Sequence, residues 1–226
     1  MRAIYYPFSK ESSTTKILVT DESAKHLQVV RVKLNDEVLV LNGKGQKAFT
    51  KVGTLSKNEV ELIVETIETD HPLHEINLAI ACPKKEAFED ILKMAVELGV
   101  QNIYPLTSEY SQYNYQASER VQRILESALI QSNNSFMPLI HPQVNLETFI
   151  EKLNTTLYFF NSKPEDCGKS EIISGLKTIL IGPEGGFSSL EIAKIMAKSQ
   201  TFSIHLPTPI MRAPTAVATS IGYLLA

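Results

Sequence analysis

Two patterns of apolar residues divide the chain near residue 72. In the first part, short runs rich in β-branched residues, such as Glu37–Leu41 and Val60–Val64, alternate with turn residues, which is typical of an all-β domain. In the second part, continuous apolar runs such as Ile76–Cys82 are followed by segments with helical spacing, and this pattern predicts buried parallel strands joined by helices. We therefore expect an α/β protein with two domains, residues 1–72 and 73–226.

The first domain is predicted to contain mainly strands. The five expected strands are Ile4–Tyr6, Lys16–Val19, Glu37–Leu41, Ala48–Val52 and Val60–Val64. Asn42-Gly43-Lys44-Gly45 predicts a hairpin turn, and Asp21 is expected to cap a single helix, Glu22–Val30. Several short strands with one helix indicate a small β-barrel.

The second domain begins with a β-α-β pattern after the proline-bearing break His71–His74. A helix is expected from Pro83 and Lys84 to about Leu98, because Gly99 supplies a C′ residue. Further strands are predicted at Ile103–Leu106 and Leu157–Phe160, and Ser118 is expected to cap a helix over residues 118–133. Such an alternation favours a mostly parallel sheet.

The last fifty residues contain the strongest candidate for a ligand site. A buried strand, Thr178–Ile181, leads into the glycine loop Gly182–Gly186, and Ser188-x-x-Glu191 predicts a capped helix. A second, proline-rich loop, Leu206–Ala216, leads into an apolar tail. Since open α/β sheets bind ligands at the carboxyl ends of their strands, we expect both loops and the loop after Phe160 to form one pocket.

The paired glycines Gly185 and Gly186 permit positive φ and a close approach of a ligand to the backbone. By themselves they are equally compatible with a structural turn. Neither a dinucleotide-binding G-x-G-x-x-G nor a phosphate-binding Walker loop is present in the sequence.

Four segments of the chain, taken together, resemble one protein family. They are Ile181-Gly-Pro-Glu-Gly-Gly-Phe-Ser-x-x-Glu191, Leu206-x-x-x-Ile210-x-Arg212-x-x-Thr215-Ala216, Lys93-x-x-x-Glu97-Leu-Gly-Val100 and His26-Leu-x-x-Val30-Arg31. These segments are similar to those of the RsmE-type ribosomal RNA methyltransferases of the SPOUT superfamily. The resemblance spans nearly the whole chain. It implies a PUA-like RNA-binding β-barrel followed by a SPOUT-type α/β domain with a C-terminal trefoil knot.

The chain departs from this family at three places. The family's R-T-E-T-A is replaced by Arg212-Ala-Pro214-Thr-Ala, which removes an acidic residue. Its E-R-S is replaced by Glu109-Tyr110-Ser111, and its E-Q-x-x-R segment corresponds to 130–134, so two arginines are missing.

The resemblance implies transfer of a methyl group from S-adenosylmethionine to ring nitrogen 3 of a uridine in 16S ribosomal RNA, at position 1498, within the 30S subunit. The residues expected to contact the cofactor are Phe160, Asn161, Ile181, Gly182, Pro183, Glu184, Gly185, Gly186, Leu206, Pro207, Ile210, Met211, Arg212, Thr215 and Ala216. The family forms homodimers through its C-terminal region, and the small residues of the last helix are suited to such packing.

Arg212 is the candidate catalytic residue. Deprotonation of uracil places charge on the carbonyl oxygens beside the nitrogen, and a fixed guanidinium can stabilise that charge. It cannot act as the base because it stays protonated, and the sequence identifies no general base. A salt bridge from Arg212, with Glu184 as a possible partner, and a capping role for Thr215 remain open.

Candidate RNA contacts lie mostly in a locally basic region. Residues 25–57 contain seven bases and two acids, although the whole chain of 226 residues has a net charge of −3. The candidates are His26, Arg31, Lys44, Lys47, Gln131 and Asn134. A packed histidine, a solvated arginine and an ordinary polar loop are the alternatives at His26, Arg31 and residues 131–134.

Composition excludes several other classes of protein. A hydrophobic content of 43% can form a sizeable core, while Cys82 and Cys167 lack metal-ligand spacing and favour reduced thiols in the cytoplasm. We expect no metal and no membrane segment, because the five histidines are scattered and no long apolar run exists. Two other functions remain open: an RNA-binding assembly factor that has lost activity, and a nucleotide-binding structural protein.

Overall fold

The computed structural model describes residues 2–9, 15–162 and 172–226. The chain divides into two compact units. One comprises Met1–Pro72 with Glu126–Met137, and the other comprises Leu73–Leu125 with Pro138–Ala226. The sequence pattern predicts a single break after residue 72, whereas residues 126–137 join the first unit in the structure.

The N-terminal unit is built on a mixed five-stranded sheet. Its elements are β1 (Arg2–Tyr5), β2 (Lys16–Val19), α1 (Asp21–Val29), β3 (Glu37–Leu41), β4 (Gln46–Leu55) and β5 (Val60–Thr69). The strand order is β1-β3-β4-β5-β2. β1 is parallel to β3, and the other neighbours are antiparallel. Helix α1 contributes Ala24 and Leu27 to the core that lines one side of this sheet.

The predicted hairpin between β3 and β4 is confirmed. Gly43 and Gly45 both have positive φ, +73° and +90°. The Asn42 side chain organises the turn, since its Oδ1 accepts hydrogen bonds from the backbone N–H groups of Lys44 and Gln46 at 2.8 and 3.0 Å. This is the local bonding that makes asparagine favourable in turns.

The C-terminal unit contains a parallel sheet of seven strands. Its elements are β6 (Ile76–Ala81), α2 (Lys85–Glu97), β7 (Asn102–Thr107), β8 (Leu139–Ile140), β9 (Val144–Asn145), α4 (Leu146–Lys152), β10 (Thr156–Phe160), β11 (Lys177–Ile181), α5 (Ser189–Ala197), β12 (Thr201–Ile204) and α6 (Ala213–Leu225). The order is β12-β10-β11-β6-β7-β8, and β9 also pairs with β7. Between β7 and β8 the chain forms α3 (Glu119–Ser132).

The middle of this sheet is apolar on both faces. All six residues of β6 are buried, and so are the last four residues of β11. A strand that is covered on both faces needs a continuous apolar run rather than an alternating one, which is why these two strands were predictable from the sequence. The expected parallel sheet is confirmed.

Helix ends agree with their sequence signals except at one place. Gly99 follows the C-cap Leu98 with a φ of +71°, as expected for a C′ glycine. The predicted cap Asp21 is wrong, because the helix begins at Asp21 and Thr20 occupies the N-cap position, where its side chain makes no capping hydrogen bond. Helix α4 and the two-residue strands β8 and β9 were not predicted, since segments this short carry too few periodic positions.

Candidate functional site

Three loops meet at the carboxyl edge of the parallel sheet. Strands β12, β10 and β11 are neighbours and parallel, so the segments that follow them, 205–213, 161–162 and 182–187, leave the sheet at the same edge. They surround a cavity of about 280 Å³. This volume is near the lower end of the range for small-molecule sites, roughly 300–1,000 Å³.

The glycine loop is a tight turn held by its own backbone. The N–H of Gly186 donates to the carbonyl oxygen of Pro183 at 2.8 Å, and Gly186 has a φ of +71°, a value that disfavours other residues. A Cβ on Gly182 would lie 3.2 Å from the ring of Phe187. That ring packs edge-on against Phe159, with 5.7 Å between centroids, so the loop fits closely over the end of the sheet.

Helix α5 begins with the predicted capping box. Ser188 accepts a hydrogen bond from the N–H of Glu191, and one carboxylate oxygen of Glu191 accepts from the N–H of Ser188 at 2.9 Å. The other carboxylate oxygen accepts from the N–H of Glu109 at 2.8 Å. The loop after β7 is therefore tied to the start of α5. In that loop, the Cβ of Tyr110 lies 3.0 Å from the position that a Cβ on Gly185 would take.

The second loop ends where α6 begins. Arg212 is the N-cap residue and Pro214 lies in the first turn. Proline is well suited to that turn because its N–H would have no partner within the helix. The first turn contains no acidic residue, so the positive end of the helix dipole has no carboxylate of its own beside it.

Most of the residues expected to contact a cofactor line this cavity. Those that do are Phe160, Asn161, Ile181, Gly182, Pro183, Glu184, Gly185, Gly186, Leu206, Ile210, Met211 and Ala216. Pro207, Arg212 and Thr215 are exposed and are not among the residues that line it, so their predicted contacts with the cofactor stay predictions. On α6 the cavity is lined by Ala213, Ala216 and Ser220. Thr215 follows Ala213 by two residues and faces the opposite side of the helix.

Several lining residues were missed by sequence reasoning. They are Phe159, Ser162, Phe187, Ile192, Ile204, His205, Thr208, Pro209, Ala213 and Ser220. Ser220 is fully buried, and its Oγ has no hydrogen-bond partner among the described residues. Residues 213, 216 and 220 are spaced so that they share one face of a helix, and this spacing could have identified Ser220 as a lining residue. His205 is half-buried, and its Nδ1 lies 3.3 Å from the carbonyl oxygen of Asn161.

Both alternatives for the residues around Arg212 are contradicted by the structure. Glu184 accepts a hydrogen bond from the backbone N–H of Lys84 at 3.4 Å, and within the described ranges no ion pair or side-chain hydrogen bond involves Arg212. Thr215 is not the cap of α6, because Arg212 holds that position. Arg212 is exposed, and its two neighbours in the sequence, Met211 and Ala213, line the cavity.

Two candidate RNA contacts lie at the end of α1. His26 is exposed in the last turn, and Arg31 is exposed just after it. Arg31 adopts a φ of +54°, and its N–H donates to the carbonyl oxygen of Gln28 while that of Val32 donates to Leu27. This is a Schellman motif in which arginine takes the position usually held by glycine.

The two lysines of the hairpin differ in their surroundings. Lys44 is exposed, whereas the ammonium of Lys47 pairs with Asp70 at 2.7 Å. Asp70 also accepts a hydrogen bond from the Oγ of Ser135 at 2.6 Å, and the N–H of Gly45 donates to the carbonyl oxygen of Ser135 at 2.8 Å. Of these two candidate RNA contacts, Lys47 is already engaged in an ion pair, whereas Lys44 is exposed.

The polar segment 131–134 is only partly available for contacts. Gln131 is exposed. Asn134 is half-buried, and its Oδ1 accepts a hydrogen bond from the N–H of Phe136 at 2.9 Å. Asn134 thus stabilises the turn that brings residues 135–137 against the hairpin, a role that competes with reading RNA.

The described part of the chain offers neither a reactive thiol nor a cluster of metal-ligating side chains. Cys82 is buried, and burial raises the pKa of its thiol to about 12, so it stays protonated; Cys167 lies outside the described residues. No group of three or more metal-ligating side chains occurs among residues 2–9, 15–162 and 172–226. No helix in these ranges is long and apolar enough to cross a membrane.

Comparison with known proteins extends over both units. The family profile described as an RNA methyltransferase domain matches residues 69–225, and an RNA methyltransferase PUA domain matches residues 19–65. Ribosomal RNA small subunit methyltransferase E of Rickettsia conorii is 28% identical over 96% of this chain and 92% of its own length. The protein of the same name from Aquifex aeolicus is 27% identical over 96% and 97%.

A solved structure shows the same fold. Ribosomal RNA small subunit methyltransferase E of Neisseria gonorrhoeae, crystallised with S-adenosyl methionine, superposes with a TM-score of 0.90 at 24% identity, covering 99% of this chain and 96% of that one. The N-terminal unit is thus PUA-like, and the parallel sheet belongs to a methyltransferase domain. Because the RNA methyltransferase profile covers more than half of its residues, the chain belongs to the RsmE-type family of RNA methyltransferases.

Proposed function

We propose that this protein transfers a methyl group from S-adenosylmethionine to ring nitrogen 3 of a uridine, position 1498, in the 16S RNA of the 30S subunit. The names of its relatives support an enzyme of small-subunit ribosomal RNA. The observation that carries the proposal is the cavity at the carboxyl edge of the sheet, which is lined by the glycine loop and flanked in sequence by Arg212, a residue without an ion-pair partner among the described residues.

The residues that line the cavity suit S-adenosylmethionine in their chemistry. Its wall combines apolar side chains, such as Ile181 and Leu206, with the polar Asn161 and Ser220. The buried Oγ of Ser220 has no partner among the described residues, and a buried hydroxyl in this state implies a missing partner such as a ligand atom. When bound, S-adenosylmethionine supplies an electrophilic methyl group on a positively charged sulfur.

The chain's own contribution is to stabilise negative charge on the target base. Nitrogen 3 of uracil is nucleophilic only without its proton, and the charge then spreads onto the two adjacent carbonyl oxygens. Arg212 offers a guanidinium at the cavity rim, and the dipole of the 13-residue helix α6 points its positive end to the same place. Both are present before the charge develops, so they favour the transition state over the ground state.

The N-terminal unit is proposed to hold the RNA. His26, Arg31, Lys44 and Gln131 are exposed, and contacts from basic residues to phosphates position an RNA without reading its sequence. We further propose that residues 1–72 and 73–226 correspond to the RNA-binding and catalytic domains, that the chain around the cavity forms a trefoil knot, and that a homodimer works in the cytoplasm.

Mapping of modified uridines tests the proposal directly. We expect 16S RNA from cells with the gene to carry a 3-methyluridine that is missing from cells without it, and purified protein to restore it in 30S subunits but hardly in naked RNA. Methylation of a different nucleotide would contradict the stated target.

A second function is favoured by one feature, the proline at position 214. An assembly factor that has lost activity would bind 30S subunits and leave the RNA unmodified. Calorimetry with S-adenosylmethionine separates the two, since we expect binding to the enzyme, and absence of binding together with absence of methylation would favour the factor. A nucleotide-binding structural protein would instead show a higher melting temperature in the presence of a nucleotide.

A further inference from the structure

Tyr110 is a large aromatic side chain exposed beside the glycine loop. It lies in the loop after β7, and 44% of its surface is exposed. Its Cβ lies 3.0 Å from the position that a Cβ on Gly185 would take, and Gly185 lines the cavity. The ring therefore stands next to the cavity wall without being part of it.

The loop that carries Tyr110 is held by hydrogen bonds before and after this residue in the sequence. The N–H of Glu109 donates to Glu191 at 2.8 Å, and the N–H of Ser108 donates to the Oγ of Ser111 at 2.9 Å. Further along, the N–H of Gln112 donates to the carbonyl oxygen of Cys82 at 3.0 Å. These bonds order the backbone in advance, so a contact made by the ring costs little additional conformational entropy.

The phenol itself is not suited to proton transfer. A hydrogen bond to the carboxylate of Glu109 raises the pKa of Tyr110 above its ordinary value of 10.0, so the hydroxyl stays neutral near pH 7. What the side chain offers to a ligand is the face of its ring. An exposed aromatic ring on an ordered loop is the usual partner of an unstacked RNA base.

We propose that the ring of Tyr110 is the surface on which the target uracil stacks when it leaves the RNA and reaches the cavity. This inference rests on the proposed function, because it assigns a substrate contact to the same site. An enzyme that acts on a ring nitrogen used in base pairing must expose that base. Stacking against Tyr110 would hold the base beside the glycine loop, next to the cavity that the cofactor occupies.

Substitutions of Tyr110 test the inference through methylation of 30S subunits. Tyr110→Ala should lower kcat/KM by about 5- to 150-fold, the value of one base–aromatic stack, and Tyr110→Leu should lose nearly as much. The kcat/KM of Tyr110→Phe should be close to that of the unchanged protein. Tyr110→Arg should keep much of the activity, because a guanidinium plane also stacks on bases. Leu190→Ala is the matched control, since Leu190 is 76% exposed at the start of α5.

Two further measurements keep stacking separate from structural support. Alanine retains the Cβ that lies on the Cβ side of Gly185, so the affinity for S-adenosylmethionine and the melting temperature of Tyr110→Ala should match those of the unchanged protein. Full activity in Tyr110→Ala would overturn the inference, and so would a loss of cofactor affinity as large as the loss of kcat/KM. Failure of the unchanged protein to methylate 30S subunits would instead contradict the proposed function.

Discussion

Arg212 occupies the N-cap of α6, and its guanidinium has no ion-pair partner in the described ranges. An arginine that stabilised the fold would be expected to pair with a carboxylate, and the partner considered from the sequence, Glu184, accepts a hydrogen bond from the backbone N–H of Lys84. At the scale of single residues, the charge is therefore available to a ligand at the cavity rim.

Arg212→Ala should lower the single-turnover rate of methylation by about 100- to 1,000-fold, as for loss of one donor to a developing anion. Arg212→Lys keeps the charge without the paired N–H geometry and should recover only part of the rate. Because the side chain is exposed and unpaired, both variants should melt like the unchanged protein and bind S-adenosylmethionine nearly as well. Full activity in Arg212→Ala would end the catalytic assignment.

Ser220 gives a second prediction at this scale. Its buried Oγ lacks a partner among the described residues, so Ser220→Ala should leave the melting temperature of the ligand-free protein unchanged or slightly higher. The affinity for S-adenosylmethionine, measured by calorimetry, should fall by about 2- to 12-fold, corresponding to one neutral hydrogen bond. Thr219→Ala is the matched control, because the Thr219 hydroxyl bonds to the carbonyl oxygen of Thr215. Equal affinities for the two variants would remove Ser220 from the cofactor site.

At the scale of elements, the β3–β4 hairpin combines a structural role with the proposed contact to RNA. Lys47 belongs to a network with Asp70 and Ser135, and Lys44 remains exposed. Burial alone would raise the pKa of Asp70, but hydrogen bonds from Lys47 and Ser135 outweigh it and lower the pKa below the ordinary value. A lowered pKa means that the network stabilises the fold above the unfolded-state pKa and loses this effect as the pH falls.

Single substitutions of the two lysines should therefore behave differently. Lys44→Ala should reduce the salt dependence of 30S binding by about one unit of slope without changing the melting temperature. Lys47→Ala should lower the stability by up to about 1 kcal/mol at pH 7, and the difference should shrink once Asp70 is protonated in the folded protein. Filter binding at several salt concentrations and melting curves at two pH values measure these effects. An unchanged salt slope in Lys44→Ala would exclude the hairpin from RNA binding.

At the scale of the whole molecule, the proposed homodimer concerns the exposed side of α6. Ala213, Val217, Ser220, Ile221 and Leu224 are buried within the chain. Gly222, Tyr223 and Leu225 are exposed, and a Cβ on Gly222 would meet nothing within 4 Å. In the single chain, alanine would therefore fit at Gly222 without strain.

Gly222→Ala tests the dimer. If a partner helix packs closely at this glycine, the added methyl group should weaken the dimer, and light scattering at micromolar concentration should show a shift toward the monomer mass. A monomeric protein would instead gain about 0.5–1 kcal/mol from replacing a helical glycine, seen as a rise of about 1–4 °C in melting temperature. That rise, with a monomer mass for both proteins, would contradict the dimer.

The sequence by itself determined the elements whose signals are local. The apolar runs of β6 and β11, the turn at Asn42–Gly45, the capping box at Ser188 and the C′ glycine Gly99 each depend on a few neighbouring residues. The glycine loop was also predictable as a tight turn, because its glycines and proline disfavour a helix or a strand. Backbone preferences and burial act on these short segments directly, so their outcome could be predicted without knowledge of the fold.

Only the tertiary structure decided which distant residues meet. Sequence spacing did not indicate that Tyr110 lies beside Gly185 or that Lys47 forms an ion pair with Asp70. Nor did it indicate that residues 126–137 join the N-terminal unit. It likewise did not indicate that Ser220 lines the cavity, which is decided by the rotation of α6. These contacts join positions far apart in the chain, and they depend on strand order and helix rotation, which are set by packing of the whole sheet rather than by any local pattern.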